Sequence, residues 1–233
     1  MFSKNITSRV SSRSRYFLKK FALRKKISLA VHTFSFITIL YCNKFFFGRV
    51  DMPEEMIDIL NSDGTPAGYS RGRTEVHAKG LWHRTVHIWA FDKNGRIVFQ
   101  QRSHLKENNP NLLDTSCAGH ITAGDNSRNA AIRELSEEMG VHKRPEDLEY
   151  LFEATHENVL NNKTYFDNEY YDTYKITLSD DEAAHLVPQP GEVDDFIWMT
   201  PAEFLEELAK LPEKFVSHPK DYAWIKSLQI MQK

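Results

Sequence analysis

The stretch from Gly119 to Val141, GHITAGDNSRNAAIRELSEEMGV, constrains this chain more than any other. Ile132, Leu135 and Met139 recur at i, i+3 and i+7, one face of a helix with a period near 3.6, while Glu134, Glu137 and Glu138 share a different face. Asp125, Asn126 and Ser127 offer N-caps, Ala130 and Ala131 favour helix, and Gly140 stands where a left-handed residue ends one. Three carboxylates within little more than one turn repel one another unless a cation compensates. Arg133, four residues before Glu137, supplies part of that charge. A hard divalent ion that prefers oxygen ligands, Mg²⁺ or Mn²⁺, supplies the rest. The competing reading of RELSEE is a solvated charged face.

The glycines decide between them. Gly119, five residues, Asp125, seven residues, Arg133-Glu134, then Leu135, Glu137-Glu138, Gly140 and Val141 resembles the Nudix box, a loop-helix-loop signature. The resemblance covers 23 residues and departs at Asp125, where the family has Glu and this chain reaches one methylene less far. It implies an α/β fold, the Nudix-type α/β/α sandwich with a mixed sheet, and a Mg²⁺-dependent hydrolase of a diphosphate linked to another group. Glu134, Glu137 and Glu138 would then be the metal ligands, Arg133 their orienting partner, and Gly119 and Gly124 the positions where backbone approaches phosphate. The proton acceptor is one of these glutamates or a loop carboxylate such as Glu192. A non-catalytic binding module would need the phosphate grip but not all three glutamates.

The 233 residues, 41% apolar and 12% aromatic, suit one domain with a real core. Two cysteines, Cys42 and Cys117, exclude a disulfide framework and suit a reducing compartment. Residues 1–50 hold eleven Lys or Arg and no acid, leaving 19 basic against 32 acidic residues in the rest. Residues 1–51 therefore read as a basic N-terminal extension for targeting or without fixed structure, and 52–233 as the domain. The apolar run Ile27 to Cys42, 16 residues, is short for a membrane span of about 20. The expected location is the cytoplasm, or the mitochondrion if the extension is a presequence, with membrane contact only if it is retained. The acidic remainder argues against nucleic acid as a partner. A small-molecule diphosphate is the expected partner.

Within the domain, Met56 to Leu60 reads as a strand opening the mixed sheet, Asp63-Gly64 as a turn, Thr85 to Phe91 as a strand at the sheet centre, and Ile97 to Gln101 as its return across the DKNG turn. Arg102 to Asp114 reads as a surface loop whose Arg102 and Lys106 are placed to meet a phosphate. Leu148 to Thr155, Tyr170 to Leu178 and Val193 to Met199 read as further strands. Thr200-Pro201-Ala202-Glu203 is a capping box opening a helix that packs through Phe204, Leu205, Leu208 and Leu211. Tyr222 to Met231 reads as a last helix.

A second constellation resembles the metal-binding residues of isopentenyl-diphosphate isomerase, itself a Nudix-fold enzyme. His77, His83 and His120 precede and follow the first main strand, and Asp167 and Glu169 flank Asn168 on a strand whose alternation puts both on one face. The resemblance implies a second metal site with imidazole and carboxylate ligands. It fails at the catalytic cysteine. The isomerase family has Cys immediately before the Gly-His pair, where this chain has Ala118, and Cys117 lies one residue earlier. In an extended segment a slip of one residue turns the thiol to the opposite face. An isopentenyl-diphosphate isomerase or related prenyl-diphosphate enzyme is accordingly the alternative function.

Overall fold

The computed structural model describes residues 54–230, so the basic extension and its apolar run lie outside the described residues. Among the described residues no helix is long and apolar enough to cross a membrane. The centre of the domain is strand β3, His83–Phe91. It pairs parallel with β8, Tyr165–Thr177, and antiparallel with β6, Cys117–His120, while its far end turns into β4, Ile97–Arg102. β4 carries the two-residue β5, Leu113–Asp114, and β9, Val193–Met199, and β8 carries the long β7, Glu149–Leu160. The resulting sheet is mixed and seven-stranded.

Alternation along β3 sends its side chains into two different layers. Val86, Ile88 and Ala90 join Ala130, Ala131, Leu135 and Met139 of helix α2, Ser127–Met139, in one core. Trp89 and Phe91 join Phe204 of α4, Pro201–Lys210, and Ile225 of α5, Pro219–Ile230, in the other. Helices thus cover both sheet faces, giving the expected α/β/α sandwich. Met56–Leu60, β1, does not join this sheet. It forms a separate hairpin with β2, Pro66–Gly72, and buries Ile57 and Ile59 against Val76 of the short helix α1, Arg73–Lys79.

α2 begins and ends as its sequence dictates. Asn126 accepts the Asn129 N–H as N-cap, and Gly140, at φ 68°, closes the helix in a left-handed turn. The capping box at Thr200 forms in both directions, through Thr200 N–H to Glu203 and Glu203 N–H to Thr200 Oγ1. Leu211 does not pack with the face of α4. It follows the last helical residue and is 47% exposed. The segment expected as a surface loop from Arg102 to Asp114 is a loop only to Leu112, because Leu113 and Asp114 are buried as β5. β7 and β8 extend past the sheet as a hairpin whose tip, Asn161 to Lys163, has positive φ throughout. The remaining helix, α3, spans Asp180–Ala184.

Candidate active site

β3 and β4 share a single partner pair, Phe91 and Ile97, and then diverge. Ser116 bridges the gap by accepting Ala90 N–H and donating to Val98 C=O. β6 follows in the space that opens, beneath α2. A cleft of about 300 Å³ lies over this divergence, and Glu134, Glu137, Glu138, Arg133, Gly119 and His120 all line it.

Pairing of β6 with β3 fixes which residue of the loop-helix signature faces where. Gly119 stands opposite Val86 and so points toward α2. A Cβ there would sit 2.1 Å from the Glu134 carboxyl carbon, so glycine is what lets that carboxylate lie against the strand. Glu138 reaches the same strand, accepting Ala118 N–H at 3.3 Å and Gln100 Nε2–H at 3.4 Å. Arg133 holds the helix in register: its guanidinium meets Glu134 at 2.7 Å and Glu137 at 3.2 Å and donates to the His120 carbonyl at 2.8 Å. Burial and the neighbouring Glu138 charge push the Glu134 carboxyl up to about 8, against the pull of Arg133. Burial pushes Glu138 up to about 7. One guanidinium is too little charge for this pair, which therefore fits a hard cation.

Gly124, which the resemblance assigns to phosphate, is held in its own turn. It is not among the residues lining the cleft, its N–H is donated to Asp58 at 2.8 Å, and its φ of 81° shows that the turn itself requires glycine. Asp125 also lies outside the cleft lining, where it accepts from Asn126 N–H and the Asn129 amide. Arg102 and Lys106 line the cleft, but both are engaged: Arg102 with Asp114 at 2.9 Å and with loop carbonyls, Lys106 with Glu192 on the same wall.

The histidines and the acidic pair come together. His77, His83 and His120 form one set of possible ligands, and His83, Asp167 and Glu169 another, each with its donor atoms within 4.8 Å of one another. Backbone carbonyls fix two of the rings. His83 Nδ1 lies 2.9 Å from Leu81 O and His77 Nδ1 lies 3.2 Å from Phe166 O; a carbonyl only accepts, so each Nδ1 carries a proton and Nε2 is the nitrogen each ring presents to its other neighbours. His77 Nε2 approaches His120 Nε2 to 3.0 Å, and the buried His83 Nε2, 3.6 Å from Glu169, has no hydrogen-bond partner. Burial and the His83 charge lower His77 to about 4, and burial takes His120 well below its ordinary value. Burial, together with the Glu169 charge, pushes Asp167 up to about 8, whereas Glu169 is held well below the carboxylate range by His83 despite its own burial. An orphaned imidazole nitrogen beside neutral imidazoles and paired carboxylates fits a borderline or hard divalent ion.

The one-residue displacement of the cysteine has the consequence its spacing predicts. Ala118 stands opposite His87 and lines the cleft; Cys117 stands opposite Ile88 and is fully buried in the α2 core. Burial and the Glu138 and Glu134 charges raise its thiol well above the ordinary value. Sequence reading passed over a further part of the cleft wall, comprising Thr85, His87, His156, Asp114 and His218. Asp114 accepts from His218 Nε2 at 2.7 Å, from Arg102 and from Thr115 N–H, and the His218 and Arg102 contacts hold its carboxyl far below the ordinary range although burial opposes them. Asp221 of α5 accepts Trp89 Nε1–H at 2.8 Å and Tyr171 O–H at 2.9 Å, and makes an ion-pair contact with His87 Nδ1 at 3.5 Å that lacks hydrogen-bond alignment. The only signal for this wall in the sequence was the even spacing of His83, Thr85 and His87 along one strand.

The family model for the NUDIX domain matches residues 81–219. Nudix hydrolase 3 of Arabidopsis thaliana is 41% identical over 128 residues, 54% of this chain and 17% of that protein, so the match spans under a fifth of its length. The isopentenyl-diphosphate Delta-isomerase of Serratia proteamaculans is 31% identical over 164 residues, 70% of this chain and 86% of the isomerase. Among solved structures, DR0079 from Deinococcus radiodurans superposes with a TM-score of 0.54 at 20% identity, over 74% of this chain and 98% of that one, and shows the same fold. With its loop-helix signature, its sandwich and a family match across more than half its length, the chain belongs to the Nudix family.

Proposed function

We propose that this chain is a divalent-cation-dependent hydrolase of a diphosphate linked to another group. The observation that carries the reading is the buried, under-neutralised pair Glu134 and Glu138 lining the cleft, Glu134 held by Arg133 and Glu138 by Ala118 N–H and Gln100. Glu134, Glu137 and Glu138 would hold Mg²⁺ or Mn²⁺, and the His77, His83, His120, Asp167 and Glu169 cluster a second ion. Such ions neutralise phosphate charge and lower the pKa of a bound water. In the reaction the water oxygen joins one phosphorus, the bridging oxygen leaves with the other, and one proton is released to the site. The chain's own part is positional: Gly119 seats Glu134, Arg133 ties α2 to β6, and backbone carbonyls turn the His77 ring toward His120 and the His83 ring toward Glu169. Glu192, which also lines the cleft, is a candidate to receive the proton alongside the helix glutamates.

The test is phosphate or nucleotide release with Mg²⁺ or Mn²⁺ over nucleotide sugars, ADP-ribose, dinucleotides and prenyl diphosphates, with Glu134→Gln and Glu138→Gln in parallel. Each variant is expected to lose about a hundredfold or more in turnover. Full activity in both, or no turnover across the panel, overturns the proposal. The isomerase alternative is favoured by the assembled histidine-carboxylate cluster and the Serratia proteamaculans relative. It is opposed by Ala118 at the cleft and by Cys117 in the core, since allylic proton transfer needs an acid and a base on opposite faces of the substrate. Proton exchange into isopentenyl diphosphate that disappears in Cys117→Ser would establish it.

A further inference from the structure

Arg102 and Lys106 both line the cleft, and both carry the charge that a diphosphate attracts, but the structure gives them different tasks. Arg102 is the last residue of β4, and the chain leaves it for a loop that returns at Leu113. From His104 to Leu112 no residue of that loop is buried, and Leu105 is 68% exposed. A segment without an apolar anchor keeps one shape only if polar bonds hold it. Arg102 supplies them. Its Nη2 donates to Asn108 C=O at 3.0 Å and its Nε to Asn109 C=O at 3.2 Å, while its own backbone accepts Asn111 N–H and donates to Leu112 C=O. Asn109 and Asn111 take φ of 50° and 65° where the loop closes on the guanidinium.

The third nitrogen explains why Arg102 is not free for a ligand. Nη1 donates to Asp114 at 2.9 Å, and Asp114 is fixed in turn by His218 Nε2 and by Thr115 N–H, each at 2.7 Å. The Asp114 side chain is 5% exposed, so releasing Arg102 to a phosphate would strand a buried carboxylate, which is costly. Lys106 is paired with Glu192 instead, whose side chain is 40% exposed. That carboxylate can turn into water when another anion takes its place, and a pair so open is worth little. The burial of the two carboxylates, more than the charge of the two cations, decides which cation an anionic ligand can recruit.

We propose that Asp114 is a positioning residue: by holding Arg102 inside the loop from Ser103 to Leu112 it places Lys106, and Lys106 rather than Arg102 meets the diphosphate. This deepens the reading above and rests on it for the diphosphate, not for its hydrolysis.

The test is a double-mutant cycle on the full chain, read as calorimetric affinity for methylenediphosphonate with Mg²⁺, a diphosphate analogue that carries no further group and is not hydrolysed. Lys106→Met is expected to weaken binding about tenfold, the loss of one charge-assisted hydrogen bond. Arg102→Gln is expected to weaken it about threefold to tenfold by itself and to change nothing further in Lys106→Met, because its effect passes through Lys106. Arg102→Lys keeps the charge but not the planar fork that spans two carbonyls and Asp114, and should act like Arg102→Gln. Asp114→Asn should act in the same direction. Melting temperatures are measured alongside, and Arg102→Lys takes the place of Arg102→Gln in the cycle should the latter not fold. Effects that add overturn the inference, as do wild-type affinity in either single variant, wild-type affinity in Arg102→Lys, and no binding by the wild type. Turnover across the diphosphate panel is read separately. No turnover with a non-additive cycle removes the hydrolase reading and leaves this inference standing; turnover with additive effects does the reverse.

Discussion

Replacing Asp221 by alanine removes the acceptor that fastens α5 to the centre of the sheet. The carboxylate is fully buried and receives two strong donors, Trp89 Nε1–H at 2.8 Å and Tyr171 O–H at 2.9 Å, one from each of the two parallel central strands. Alanine leaves both donors buried and unpaired, at about 1–3 kcal/mol each, so the expected loss is about 4 kcal/mol. In a domain of this size that lowers the melting midpoint by roughly 8–16 °C. Asp221→Asn keeps one acceptor oxygen and should lose about half as much. Urea denaturation followed by circular dichroism and by tryptophan fluorescence measures both. The sign of the pH dependence gives a second check. Burial pushes the Asp221 carboxyl up, but the His87 contact and the Trp89 N–H outweigh it and hold it below its ordinary 3.8. The unfolded chain therefore takes up the proton first as the pH falls, so the stabilisation is present above 3.8 and is lost on further acidification. The gap between wild type and Asp221→Ala should narrow in that acidic range, while the protonated carboxyl still accepts one of the two donors. A variant within about 1 kcal/mol of wild type at neutral pH would refute the account, because two unpaired buried donors cannot cost so little.

Three further outcomes follow from the site. Gly119→Ala puts a methyl group 2.1 Å from the Glu134 carboxyl carbon and must displace that carboxylate; hydrolysis should fall about a hundredfold, and full turnover would show that Glu134 is not needed where it stands. In a Cys42→Ser background, Cys117 should react with a thiol reagent at least about a hundredfold more slowly in the folded protein than in denaturant, and equal rates would contradict its place in the core. Burial lowers His87, but Asp221 outweighs it and raises the imidazole above its ordinary 6.5, so its stabilisation is complete below 6.5 and is lost as the pH rises through the raised value. The stability advantage of wild type over His87→Gln should accordingly shrink as the pH rises above 6.5, and a constant difference would dismiss the pairing.

Where local chemistry decides the structure, the residues announce it. Val193–Met199 and the helix opened by Thr200-Pro201 are legible because strand composition, the reciprocal cap and proline at the first helical position all agree. α2 is legible through its apolar spacing and its caps. What escaped depends on distant partners. Cys117–His120 is four residues without periodicity and becomes a strand because β3 is there to pair with it. Arg73–Lys79 is seven residues without a side-chain cap, held by burial of Val76 under the β1–β2 hairpin. The same contrast runs through the site. The glutamates and the histidine-carboxylate cluster are spelled by spacing, whereas the wall of Thr85, His87 and His218 exists only once α5 has docked against β3. Gly124, assigned to phosphate by its place in a pattern, is fixed by its own turn and stands outside the residues that line the cleft.

β3 serves every layer of the molecule by alternation alone: Val86, Ile88 and Ala90 on one side, and Thr85, His87, Trp89 and Phe91 on the other. Its evolutionary freedom is consequently lopsided. Single substitutions along it exchange one side chain, and the neighbours can adjust. Deleting or inserting one residue between Arg84 and Ile88 would move imidazoles under α2 and aliphatic side chains onto the cleft wall in a single step. This strand can drift in composition but is locked in length. Variation in length among descendants of this chain belongs instead at the Asn161 to Lys163 tip, where the backbone has already left the sheet.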